Sequence, residues 1–179
     1  FGQRPAMLLM GVMLVTAVLS MFVSNTATAT LVLAMMTPLF AARPKGDGVT
    51  KALALGVAFA ANLGGMGTVI GTPPNAIAAG LLVGASQVNF AEWMLLAVPP
   101  AFCLLAIAWC FLVATRLGSG GFQEEEELLF HAGVASDPVP KLKQIVVVGT
   151  FAVTVGLWMT SPLHGLPTTL VSLVPICAL

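Results

Sequence analysis

Charge is scarce in this sequence of 179 residues: only 8% of them are charged. Soluble domains carry about 25%, so an ordinary water-soluble globule is excluded. Lys+Arg and Asp+Glu stand at 7 each, which leaves no basic surface for nucleic acid. Cysteine is sparse too. The three cysteines, Cys103, Cys110 and Cys177, all lie in apolar runs. There is no CxxC pair, and neither His131 nor His164 neighbours a cysteine, so neither a metal site nor a disulfide framework is expected. What is abundant is apolar: 58% of residues are hydrophobic, and the mean hydropathy is +1.01. With 12 Pro and 18 Gly in such a chain, broken helices are expected rather than plain spans. The composition implies a polytopic, all-α membrane protein.

The few charges set the topology. Arg4 precedes the apolar block from Pro5 to Ala42, and Arg43, Lys45 and Lys51 follow it. Basic flanks face the cytoplasm, so this block should enter the membrane and return. Its middle, Ser24-Asn25-Thr26-Ala27-Thr28-Ala29-Thr30, is rich in side chains that favour turns and caps. A re-entrant helical hairpin with a polar tip is therefore expected over 1–43. The next block, Ala52 to Ala91, is longer than one span and is interrupted by four glycines and two prolines between Gly64 and Asn75. We expect one helix to about Leu63, an unwound stretch, and a second helix from about Pro73, capped by Thr72. This makes 44–90 a broken transmembrane helix.

A plain transmembrane helix is expected over 91–116, a cytoplasmic loop over 117–144 carrying Glu124 to Glu127, and a further span with the start of another over 145–179. With this threading all seven Lys/Arg fall on the cytoplasmic side. The last apolar stretch, Leu170 to Leu179, is shorter than the ~20 residues of a spanning helix, and we read the whole as a fragment of a longer chain.

The two breaks have a chemical logic. Irregular backbone at membrane depth is tolerated only where protein buries it or where it lines a cavity. Discontinuous helices are how transporters build sites near the midplane. A helix C-terminus offers carbonyl oxygens to a cation, and an N-terminus offers N–H groups to an anion. Ser20 and Ser24 are four apart, so on one helix their hydroxyls share a face. With the Asn25 amide oxygen and carbonyls near Gly71 they form a neutral, all-oxygen set suited to a hard cation, which we take to be sodium. The apolar blocks contain no titratable residue that could serve as a proton relay. An anionic substrate would also find no basic partner there. A helix end is worth roughly 0.3–1 kcal/mol when exposed, less than the several kcal/mol of carboxylate desolvation. Co-bound cations are needed to supply the countercharge.

Each motif alone has a blander reading. Ser-Asn-Thr is a common helix cap, and Gly64-Gly65-Met66-Gly67 could be close helix packing of the small-residue kind. The combination carries the inference. Of other function classes, an intramembrane enzyme lacks candidate motifs, since the hydroxyls have no nearby base. A channel, as against a carrier or scaffold, would be marked by steady currents that do not saturate with substrate.

Two stretches, Ser20-Met21-Phe22-Val23-Ser24-Asn25-Thr26-Ala27-Thr28 and Asn62-Leu63-Gly64-Gly65-Met66-Gly67-Thr68-Val69-Ile70-Gly71-Thr72-Pro73-Pro74-Asn75, resemble the Ser-Asn-Thr hairpin and broken-helix signatures of the divalent anion–sodium symporter family. The resemblance covers most of residues 5–116. It implies one repeat of an inverted-repeat, elevator-type transporter that dimerises and carries dicarboxylates, citrate or sulfate. By this likeness Ser20, Ser24, Asn25 and the carbonyl of Gly71 would hold one sodium ion. Asn25 and Thr26, with Thr72 and Pro73 nearby, would face the substrate carboxylate. The family's second Ser-Asn-Thr is absent here. The function so implied is sodium-coupled symport of a small di- or tricarboxylate, succinate-like, across a bacterial inner membrane, with membrane lipid as the surrounding partner. The alternative within the same fold is a sodium-independent dicarboxylate exchanger, or a carrier of sulfate or another anion.

Overall fold

Side-chain oxygens start two helices of the first half. Ser24 accepts from the Ala27 N–H at 3.4 Å, and Asp47 accepts from the Thr50 N–H at 3.1 Å. Each satisfies one of the N–H groups that a helix start leaves without a partner. A computed structural model describes residues 5–44, 46–82, 88–116, 141–166, 168–171 and 173–178. The helices are α1 (Pro5–Ser20), α2 (Asn25–Ala41), α3 (Gly48–Gly65), α4 (Pro73–Leu81), α5 (Phe90–Arg116), α6 (Lys141–Met159) and the short α7 (Ser161–His164), α8 (Thr168–Val171) and α9 (Leu173–Ala178). No strand occurs among the described residues. Two of these helices, α3 and α5, are long and apolar enough to cross a membrane.

The two expected breaks are present, at 21–24 between α1 and α2 and at 66–72 between α3 and α4. The first differs in detail from expectation. Helix α1 stops at Ser20, and Ser24 sits in extended backbone at φ −56°, ψ 143°. Ser20 and Ser24 therefore do not share a helical face. The physical reason is that Ser24 is used as the cap of α2, and a capping residue cannot also be helical. At the second break α3 runs on to Gly65, and α4 begins at Pro73 as the fixed proline φ favours. Thr72 takes the N-cap position in extended backbone, but its hydroxyl makes no capping bond.

Helix α5 begins at Phe90, one residue before the expected 91. Asn89 and Glu92 form a reciprocal capping box, each side chain accepting from the other's backbone N–H at 2.9 Å. The α6 helix starts at Lys141, inside the stretch expected to be loop. The four glutamates at 124–127 lie outside the described residues. Ser161–His164 is a single helical turn, closed by Gly165 at φ 66°.

Helix α3 is the central element and packs on α1, α2 and α5. Leu9, Met13 and Ala17 of α1 meet Ala52, Leu53, Val57 and Ala60 of α3, joined by Met36 and Leu39 of α2 and by Leu105 and Leu112 of α5. A second cluster unites both breaks with the C-terminal helices. Phe22 from the first break and Val69 and Ile70 from the second pack around Phe90, Trp158 and Val171. Phe90 stacks on Trp158 with centroids 5.3 Å apart, and Phe22 meets Phe151 edge-on at 5.2 Å. Helix α5 is tied down at two points: the Trp109 indole N–H donates to Ala6 O at 2.8 Å, and that of Trp93 to Met66 O at 3.2 Å.

Candidate functional site

The site grows from the requirement that buried polar groups find partners. Ser20 ends α1 with its side chain fully buried, and its Oγ lies 2.8 Å from Asn25 Oδ1 and 2.7 Å from Ala61 O. A hydroxyl has one proton, so it can donate fully to only one of these two acceptors. Three oxygens thus converge with a single hydrogen among them. Asn25, the first residue of α2, also donates from Nδ2 to Asn62 Oδ1 at 3.1 Å. Asn62 in turn donates to Ala58 O at 3.0 Å, one turn back on α3.

The second break closes on the same place. A Cβ at Gly65 would overlap Asn25 Oδ1, and a Cβ at Gly71 would overlap the Gly65 carbonyl. Gly65 therefore lies against both Asn25 and Gly71, and the two interruptions meet there. Thr72 joins through its methyl group, which faces the same Gly65 position. Gly64 does something different. A Cβ there would strike the Ala17 backbone, so this glycine lets α1 and α3 approach closely. The small-residue reading of the glycine run holds for Gly64, while Gly65 and Gly71 shape the junction of the breaks.

Thr68 ties the junction together. It is fully buried, donates from Oγ1 to Met21 O across the breaks and accepts from the Gly71 N–H at 3.0 Å. Asn75 uses both hydrogens of its Nδ2 on main-chain carbonyls, Gly65 O at 2.9 Å and Thr68 O at 2.8 Å. A carboxamide from the first turn of α4 thus serves the carbonyl that ends α3 and one within the break.

Of the residues singled out in sequence, Ser20, Asn25 and Gly71 are brought together around Gly65. Ser24 adjoins them through the peptide of Asn25, with its hydroxyl turned to the first turn of α2. Thr26 and Pro73 are exposed at the starts of α2 and α4. Thr68, Asn62, Asn75 and the Ala61 carbonyl were not singled out as site groups. Thr68, Asn62 and Asn75 lie within the motif stretches, but their partners stand 47, 37 and 10 residues away in sequence, beyond local pattern.

In the turn before α3, Asp47 pairs with Arg43 at 2.7 Å. Desolvation by the surrounding structure acts to raise the Asp47 pKa. The hydrogen bonds and charge of Arg43, with the Thr50 N–H and hydroxyl, outweigh it and hold the carboxyl below its ordinary range. Cys103 and Cys110 are free thiols exposed on α5. Among the described residues no three His, Cys, Asp or Glu gather as a metal site would require.

The chain is 34% identical to the sodium-dependent dicarboxylate transporter SdcS of Staphylococcus saprophyticus subsp. saprophyticus, over 62% of this chain and 24% of the relative. The match to the protein of the same name in Staphylococcus aureus has the same identity and coverage. The chain thus spans about a quarter of the length of the curated relatives it matches. A sequence model described as citrate transporter matches residues 1–178, nearly end to end. The motif resemblance, the relatives and this match agree, and the chain belongs to the citrate transporter family.

Proposed function

We propose that the protein containing this chain takes up a small di- or tricarboxylate together with sodium, and that this chain supplies one half of the binding site. The observation that carries the reading is the oxygen cluster at Ser20. Its hydroxyl sits within 2.8 Å of two further oxygens with one proton for three atoms. A cation seated there gains from every one of those oxygens, whereas a hydrogen-bond network leaves one contact unsatisfied. Neutral oxygen ligands suit a monovalent hard cation better than a divalent one. In this reading Ser20, Ser24, Asn25 and the Gly71 carbonyl hold sodium. Asn25, Thr26, Thr72 and Pro73, at two helix starts, receive a substrate carboxylate whose charge the ion offsets.

The lengths of the hairpin arms support a re-entrant placement. With 16 and 17 residues, each arm reaches roughly 24–26 Å at 1.5 Å per residue, short of a hydrocarbon core about 30 Å thick. An inverted-repeat, elevator-type dimer in a bacterial inner membrane is the architecture that the motif resemblance favours.

The test is uptake of labelled succinate and citrate by the full-length protein in proteoliposomes, in sodium or in choline at equal ionic strength. We expect uptake in sodium alone, and loss of it in Asn25→Ala. Equal rates in choline would sink the coupling, and countertransport without sodium would point to an exchanger instead.

A further inference from the structure

An asparagine amide serves a cation only if its oxygen, and not its NH2, faces the ion. The two ends of the group have almost the same shape, so something must select the orientation. A chain of bonds anchored in main chain does so here. The Ala58 carbonyl is an acceptor and nothing else, so the Asn62 group 3.0 Å from it must be the NH2. Asn62 Oδ1 then points the other way, toward Asn25 at 3.1 Å. Facing an oxygen, Asn25 must present its own NH2 and turn Oδ1 to the Ser20 hydroxyl, 2.8 Å away. Each amide copies its orientation from the previous one, and the first in line has no choice.

We propose that Asn62 is a positioning residue of the ion site. It touches neither Ser20 nor Gly71 in any bond described, and it acts by locking the amide of Asn25 with the oxygen inward. This deepens, and rests on, the sodium reading given above. Asn62 is exposed, so its two hydrogen bonds are not explained by burial, and its neighbour Ala61 already contributes a carbonyl to the cluster. Without the Asn62 acceptor, Asn25 is free to turn its NH2 toward Ser20 and present hydrogens to the ion.

The experiment is sodium-dependent thermal stabilisation of the purified full-length protein, titrated with NaCl against choline chloride at constant ionic strength. It needs no knowledge of the substrate. Asn62→Leu deletes the acceptor, and Asn62→Asp keeps an oxygen facing Asn25. We expect Asn62→Leu to raise the half-saturating sodium concentration about tenfold, the equivalent of losing one orienting hydrogen bond of about 1.4 kcal/mol. Asn62→Asp should stay within about threefold of the parent. Should Asn62→Leu not yield folded protein, Asn62→Ala removes the same acceptor without added bulk and carries the same expectation. Unmoved sodium dependence in the acceptor-deleting variants, or an equal rise in Asn62→Asp, overturns the inference while leaving the sodium reading intact. No sodium response in the parent protein overturns the sodium reading, and this inference with it.

Discussion

The two interruptions do the same job by different means. The first, 21–24, is short and closed locally: Ser24 caps the helix that follows it, three residues away. The second, 66–72, is closed from a distance. Thr68 reaches Met21 across 47 residues, and Asn75 reaches back over ten to Gly65. A short gap between helices is stabilised by its own cap. A long gap needs side chains from elsewhere, because each unpaired carbonyl or N–H without water costs about 1–3 kcal/mol. The shape of the second break, and through Gly65 the place of Asn25, therefore depends on tertiary contacts, of which the first break shares one, at Met21 O.

Substitutions at each break should bring out this contrast. The largest effect is expected at Thr68→Val, which strands Met21 O in a buried place and leaves the Gly71 N–H only its longer bond to Thr68 O at 3.3 Å. Thermal unfolding of the full-length protein in detergent should report a loss of about 3 kcal/mol, and a loss near zero would mean that the breaks are held by something else. Asn75→Leu removes two bonds to main-chain carbonyls, Gly65 O and Thr68 O. About 2 kcal/mol is expected, with sodium-dependent stabilisation weakened because the Gly65 carbonyl is released. Ser24→Ala tests the local closure. Loss of a cap costs about 1 kcal/mol, and a bond of 3.4 Å belongs at the low end. If Ser24 also holds the proposed ion, the sodium response should fall by more than stability measured without sodium; equal losses would leave Ser24 as a cap alone.

The smallest effect is expected outside both breaks, at Asp47. Its folded-state pKa is depressed, so its contribution is present above the unfolded value of about 3.9. That contribution fades as pH falls through the lower native value. Asp47→Asn should flatten this acidic limb of the stability profile, by well under 1 kcal/mol for a partly exposed pair. A limb that stays unchanged would remove Asp47 as its source.

How much of this was legible beforehand follows from the same contrast. Pro73 at a helix start, the polar tip at Ser24 and the interruption at the glycines are local signals, and the structure has each of them. The shared helical face of Ser20 and Ser24 failed because a residue that caps one helix cannot extend another. The capping box of Asn89 and Glu92 carries a readable spacing, and it sets the α5 start at Phe90, one residue before the expected 91. Thr68, Asn62 and Asn75 lay in plain view inside the motif. Their partners are set by how α1, α3 and α4 meet, and no spacing within the chain encodes that. Gly64 and Gly65 are neighbours of one type with unrelated duties, and only their surroundings separate them.

The two indole anchors on α5 have a mechanical consequence. Trp93 and Trp109 are sixteen positions apart, roughly 24 Å along a helix axis, and they grip the far end of α3 and the near end of α1. A beam pinned at both ends resists shear as well as stretch. Held at both ends in this way, α5 moves with α1 and α3 as one body.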